Sequence, residues 1–175
     1  MTQIHLRPLQ ISDFPLLQHW LETPHVRAWW DSDVNWTPQL IEEKYSDYVK
    51  GFKLQTGKQK KLDAFIICVA DSSKPIGYVQ IYGAHDFPRS APLDDLPASL
   101  AAFDIFIGDI NFIGRGFGVL AIESLLGSCV QGRFEYVFAD PDVTNLGAVR
   151  CYEKAGFKHF RENLTAGEVW MLRRV

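Results

Sequence analysis

The sequence contains no apolar run approaching the ~20 residues that a bilayer-spanning helix needs, so no membrane-spanning segment is expected. It also lacks a basic face: 18 Lys and Arg residues are scattered among 21 Asp and Glu, and a net charge of −3 gives no footprint for nucleic acid. The one short basic stretch, Lys58-Gln59-Lys60-Lys61, reads as a solvated turn. Cysteine is sparse. Cys68, Cys129 and Cys151 are odd in number, lack metal-ligand spacing and fall in apolar periodic segments, so they read as buried free thiols, with no metal site. The stretch from Met1 to Arg7 lacks the charged-then-apolar pattern of a secretory leader. Repeats and low-complexity tracts are absent. These absences predict a cytoplasmic chain, residues 1–175 forming a single domain with one core.

What is present has the rhythm of an α/β protein. Ile4–Leu9 alternates as an edge strand that Pro8 brings to an end. Leu16, Leu17, Trp20 and Leu21 recur at helical spacing before Pro24, and Thr37-Pro38 caps a second helix whose face runs through Ile41, Tyr45, Tyr48, Val49 and Phe52. Residues 57–61 read as a loop. Ala64–Ala70 and Ile76–Tyr82 are apolar runs joined by a turn-rich segment, a hairpin signal. Residues 83–99 form a long irregular loop with Pro88, Pro92 and Pro97, and with Asp86, Asp94 and Asp95. Loops of that length in a compact domain are often binding loops, and these acids could lend a negative field or simply be solvated. Ala101–Ile107 is apolar on both faces and so should be a central strand. A helical stripe from Val119 to Val130, a short strand Tyr136–Ala139, a helix Asn145–Ala155 ended by Gly156, and the strands Phe157–Arg161 and Glu168–Arg173 complete the order β-α-α-β-β-β-α-β-α-β-β.

Between the central strand and the following helix lies Ile113-Gly114-Arg115-Gly116-Phe117-Gly118. Glycines at alternate positions permit backbone conformations closed to other residues, and their N–H groups with a helix N-terminus make an anion site. Arg115 adds a nearby cation. A P-loop is excluded, because no Gly-Lys-Ser/Thr follows. A dinucleotide fingerprint can be placed on Gly116, Gly118 and Ala121, but Glu135 then precedes its strand and too little chain follows for that fold. A glycine-rich turn without a ligand and a loop for another pyrophosphate stay open.

The segment Asp140-Pro141-Asp142-Val143-Thr144-Asn145-Leu146-Gly147-Ala148-Val149-Arg150-Cys151-Tyr152-Glu153-Lys154-Ala155-Gly156-Phe157 narrows the choice. It resembles the GNAT acetyltransferases, and within them the aminoglycoside 6′-N-acetyltransferases. Pro75-Ile76-Gly77-Tyr78-Val79-Gln80, Asp104 ahead of the glycine loop, and His19-Trp20-Leu21 with Val26-Arg27-Ala28-Trp29-Trp30 resemble the same enzymes, so the likeness spans nearly the whole chain. It departs at Ile113, where the wider family has Gln or Arg. The resemblance implies an α/β GNAT fold, a mixed central β-sheet with a V-shaped splay flanked by helices. It implies acetyl-CoA as co-substrate, held by Ile105, Phe106, Ile107, Ile113, Gly114, Arg115, Gly116, Phe117, Gly118, Val119, Asn145, Ala148, Tyr152 and Lys154. A small polycationic amine would be the acceptor, and antibiotic resistance a consequence.

Acetyl transfer to an amine needs a base near the amine and an acid near the departing thiolate. Asp104, a carboxylate in an otherwise apolar strand, is the candidate base, since burial would make it more basic; a backbone-bonded structural role is the alternative. Tyr152 is the candidate acid, a phenol suited to protonate a thiolate, with core packing as the alternative. Asp140, closing a strand before Pro141, is implied as an acceptor-binding carboxylate. Trp29, Trp30 and Asp31 could wall the acceptor, Trp29 being as readily a core residue and Trp30 less so, while Gln80 and Tyr82 share a strand face that could line the cleft. Two other readings compete: a GNAT enzyme acylating a polyamine or siderophore precursor, and a non-catalytic acyl-CoA- or drug-binding module. Nothing in the pattern decides between monomer and homodimer.

Overall fold

The computed structural model describes residues 3–175; Met1 and Thr2, the start of the N-terminal segment read above, lie outside the described residues. Local sequence explains most elements. In α1 (Phe14–Glu22) Phe14, Leu17, Trp20 and Leu21 are buried along one face, and Pro15 sits in the first turn, where its missing N–H is harmless. A short helix α2 (Pro24–Arg27) follows. Thr37 caps α3 (Pro38–Val49), its Oγ1 accepting from the Leu40 N–H at 3.2 Å, and Ile41, Tyr45 and Tyr48 are buried.

The chain next departs from the sequence expectation. Phe52 opens a strand, β2 (Phe52–Gln55), that pairs antiparallel with the start of β3 (Lys58–Val69). Lys58–Lys61 is therefore strand, where a loop was expected. Thr56 and Gly57 both take positive φ, 48° and 75°, the two-residue turn whose twist matches a hairpin. Apolar alternation marks only the β2 side, in Phe52 and Leu54; its partner Lys58–Lys61 carries no apolar residue, which hides the hairpin.

Strands β1 (Ile4–Pro8), β4 (Pro75–Gly83), β5 (Leu100–Ile107), β6 (Tyr136–Ala139), β7 (Lys158–Asn163) and β8 (Glu168–Arg174) complete the sheet in the order β1-β3-β4-β5-β6-β8-β7, with β2 attached to β3. Among the described residues only β5 and β6 pair in parallel. Side-chain alternation divides the core: Ile66, Tyr78, Ala102 and Phe106 pack with α1 and α3, while Ile67, Val79, Ala101 and Phe103 pack with α4 (Phe117–Leu125). A π-type turn, Leu126–Val130, extends α4, and α5 (Leu146–Lys154) lies beside it. All three cysteines are free as expected, but only Cys68 is buried; Cys129 and Cys151 are half-buried because they flank the helix faces. Among the described residues no helix is long and apolar enough to cross a membrane.

Candidate active site

The pairing of β5 makes the site. On its β4 side the register runs from Ala101 opposite Gly83 to Ile107 opposite Gly77. On its β6 side it stops after Ala102 opposite Phe138. Asp140 and Pro141 then turn away, proline having no N–H to continue a ladder. From Phe103 onward β5 has no strand partner on that side among the described residues, and the sheet opens into a cleft of about 860 Å³. Phe103 to Ile107 form one wall; Asn145, Ala148, Cys151, Tyr152 and Lys154 contribute another.

Main chain dominates the glycine-loop part of the cleft. Asp109 accepts from the Asn111 backbone and side chain at 3.0 and 2.9 Å, setting the turn that leads from β5 into the loop. Gly114 and Gly116 take φ of 70° and 86°, with open space around the position a Cβ would occupy. Conformation is what requires glycine at both. Gly118 has a different reason: a Cβ there would lie 2.9 Å from Cys151 Sγ, so this glycine lets α4 and α5 approach each other. Gly116 is the N-cap of α4, and the first-turn N–H groups beyond it have no intrahelical acceptor. Ile113, Gly114, Gly116, Phe117, Gly118 and Val119 all line the cleft. Arg115 does not. Its guanidinium donates to the Asn111 carbonyl at 3.1 Å and lies over the Phe112 and Phe117 rings, where cation–π contact holds it.

Side chains dominate where the strands part. Asp104 lines the cleft half-buried, opposite Gln80 in the register. Its Oδ2 accepts from Gln80 Nε2 and from the Tyr82 hydroxyl, both at 2.8 Å, and Tyr78 donates in turn to Gln80 Oε1 at 2.8 Å. Gln80 and Tyr82 were expected to line the cleft; instead they are buried and act as the support on which Asp104 rests. Oδ1 of Asp104 has no hydrogen-bond partner among the described residues. Across the opening, Tyr152 packs edge-on to Phe103 at 5.4 Å between centroids. Burial pushes its phenol above the ordinary tyrosine value, so it carries its proton throughout the physiological range.

Asp140 also lines the cleft, paired to Arg89 at 2.9 Å. Burial pushes its carboxyl up to about 6, with the Arg89 charge opposing. Of the two tryptophans, it is Trp30 and not Trp29 that also packs into the core. Trp30 packs into the core edge-on to Phe106 and Tyr78, while Trp29 is 51% exposed, and both border the cleft. Asp31 lies away from it, in a salt bridge to Lys44 at 2.5 Å beside a separate surface depression. Two of the loop acids are neutralised rather than poised as a field, Asp86 by Lys60 and Asp95 by Arg161, each at 2.8 Å.

Two residues at the site carried no signal in the sequence: Arg89, which sits behind Asp140, and His25, which lines the cleft. Arg89 is a lone cation in a proline-rich loop. His25, held in α2, meets the Ile107 carbonyl through Nε2 at 3.1 Å and covers the end of β5; only the neighbouring Val26–Trp30 segment had drawn notice.

A mixed sheet opened beside a strand–glycine loop–helix unit, with carboxylates where the strands part, is the architecture of an acetyltransferase of the GNAT type. The family model described as an acetyltransferase (GNAT) domain matches residues 10–163, and the chain belongs to that family. Over 166 residues it is 27% identical to the aminoglycoside N(6′)-acetyltransferase type 1 of Klebsiella pneumoniae, covering 89% of this chain and 74% of that protein. It is likewise 27% identical over 164 residues to the lysine N-acyltransferase MbtK of Mycobacterium tuberculosis, covering 91% and 71%. The solved structure of AAC(6′)-Ib with paromomycin and acetyl-CoA superposes with a TM-score of 0.81 at 24% identity, covering 98% of this chain and 93% of that one.

Proposed function

We propose that this protein transfers the acetyl group of acetyl-CoA directly to a primary amine within a ternary complex. The observation that carries the proposal is one cleft lined by both the Asp104 carboxylate and Tyr152, with an anion-binding loop further along the same opening. Acetyl-CoA supplies the acetyl group as a thioester. The free N–H groups at Gly116–Val119 and the positive end of α4 suit its pyrophosphate, with Asn145, Ala148 and Lys154 on the facing side. Asn145 Oδ1 already caps α5, accepting from the Ala148 N–H at 3.1 Å, so it shapes this wall through its backbone.

Asp104, oriented through Oδ2, offers Oδ1 to the incoming ammonium and takes its proton. The neutral amine adds to the thioester carbonyl. As the tetrahedral adduct collapses and the C–S bond breaks, Tyr152 delivers its proton to the departing sulfur and takes back the second proton of the amine nitrogen, while Asp104 returns its proton to solvent. Desolvation of the acceptor is assisted by Phe103, Phe106 and Trp30 around the opening.

The 6′-amino group of an aminoglycoside is the first acceptor to consider, supported by the likeness to enzymes with that name and by the two carboxylates Asp104 and Asp140. A smaller amine, such as an amino-acid side chain, is favoured by a specific observation: Asp140 already has a cationic partner in Arg89. Purified protein with acetyl-CoA and, in turn, kanamycin, tobramycin and lysine separates the two through release of free thiol. Absence of release with every 6′-amino aminoglycoside removes that acceptor and leaves the amine acetyltransferase reading standing.

A further inference from the structure

We propose that Arg89 is a specificity-determining residue: by neutralising Asp140 it leaves Asp104 as the half-buried carboxylate of the acceptor site without a cationic partner, and so selects an amine that brings a single ammonium over a polycation. This rests on the amine acetyltransferase reading and deepens it.

Arg89 is built into the site. Its side chain is 10% exposed and that of Asp140 20%. The guanidinium lies between the Tyr82 and Phe138 rings, at 5.3 and 5.4 Å from their centroids, and donates to Asp140 Oδ2 at 2.9 Å and to the Tyr82 hydroxyl at 3.0 Å. Through Tyr82 it joins the network that orients Asp104. The loop carrying it is tied down on either side: Lys60 pairs with Asp86, Ser90 Oγ donates to Glu168, and Arg161 reaches Asp95 and the Pro92 carbonyl. A solvated loop cation would need none of this. Burying a guanidinium is costly unless its charge is paired, and the bonds to Asp140 and Tyr82 offset that cost, while Nε is buried with no partner among the described residues.

The consequence is electrostatic. An ammonium that approaches Asp140 meets a guanidinium already paired to the same carboxylate, so the charge it would bind is offset by a fixed, low-entropy partner. Lys53 reinforces the effect. It is half-buried over the Phe87 ring at 5.3 Å, Phe87 packs edge-on to Tyr82 at 5.1 Å, and Lys53 has no salt bridge among the described residues. Glu168 nearby has Oε2 taken by Ser90 and Trp170. Asp142 also lines the cleft but is exposed to solvent, its Oδ1 accepting from the Thr144 N–H and hydroxyl, so water screens its charge. Asp104 is the half-buried cleft carboxylate with no cationic partner among the described residues. Repulsion of the unwanted ligand, as much as attraction of the right one, then sets the choice.

The test compares kcat/KM for kanamycin A, a polycation, with that for N-acetylcadaverine, which carries one primary amine. Arg89→Gln should raise the kanamycin-to-monoamine ratio by about tenfold, chiefly through a lower kanamycin KM, and Arg89→Lys should keep the wild-type ratio within about twofold. A folding defect lowers both acceptors together and does not move the ratio. Wild-type protein gives an independent reading: KM should not fall from N-acetylcadaverine to cadaverine to spermidine as charge is added. A ratio unmoved by Arg89→Gln, or a KM that drops steadily with charge, overturns the proposal. Thiol release without any such preference defeats only the role of Arg89, whereas no release with any amine defeats the acetyltransferase reading together with it.

Discussion

The two ends of the cleft are made of different material. The glycine-loop end is main chain, two left-handed glycines and the N-terminus of α4, contributed by consecutive residues. The acceptor end is side chain, and its parts come from β4, β5, the 84–99 loop and the end of β6. A backbone site depends on conformation and tolerates changes of side chain, which is why Ile113 can stand where the wider family has a polar residue. A side-chain site depends on pairs far apart in sequence, and one replacement such as a cation beside Asp140 can change what it accepts. The first end is therefore common to a family, while the second belongs to the individual protein.

Substitutions that separate the ends sharpen this contrast. The largest effects belong at the acceptor end: Asp104→Asn should lower kcat/KM by about 10²–10⁴-fold, the range of a lost general base. Tyr152→Phe should lower kcat by about 10²-fold or more, with the acceptor KM little changed. Steady-state kinetics by thiol release checks both, and full turnover by Tyr152→Phe would remove it as the proton donor. Smaller and of another kind are the glycine-loop effects. Gly118→Val should destabilise the fold by about 1–3 kcal/mol through overpacking against Cys151. Gly116→Ala, with open space but φ of 86°, should cost about 1–2 kcal/mol of backbone strain. Urea unfolding measures both, and calorimetry should show weaker acetyl-CoA binding for Gly116→Ala with the relative preference among amines unchanged. A change in amine preference would break the division between the two ends.

The smallest expected effect is a pH dependence. Burial raises the Asp140 carboxyl to about 6, so the folded chain keeps a proton that the unfolded chain has released near its ordinary value of about 3.9. This group therefore adds stability in acid, and that contribution is lost as pH rises from about 4 through about 6. Asp140→Asn, which cannot titrate, should show a shallower decline in urea midpoint across that window than the wild type.

The same contrast explains what the sequence revealed. Helix caps at Thr37 and Gly156, the apolar periodicities, and the Asn145–Phe157 motif are local, and each led to the correct element. Asp104 stood out as a carboxylate in an otherwise apolar strand and Tyr152 through the resemblance, and both line the cleft. The β2–β3 hairpin escaped because Lys58–Lys61 carries no apolar residue, and its Thr56-Gly57 turn is a weaker signal than Asn-Gly. Arg115 was read as a cleft cation from proximity in sequence, yet its side chain turns back onto Phe112 and Phe117. Arg89 lies 51 residues from Asp140, and no local pattern announces a pair of that separation. Trp29 and Trp30 both border the cleft as expected, but which of them also packs into the core could not be read, because adjacent aromatics at a helix end give no period from which to read direction.

The central claim is amine acetylation in the opening between β5 and β6. Purified protein, acetyl-CoA and a panel of primary amines, with free thiol followed in time and the products mapped by mass spectrometry, test it most directly. The account predicts thiol release that depends on the amine, an acetyl group on its nitrogen, and loss of both in Asp104→Asn. No amine-dependent release across aminoglycosides, diamines and amino acids would contradict it.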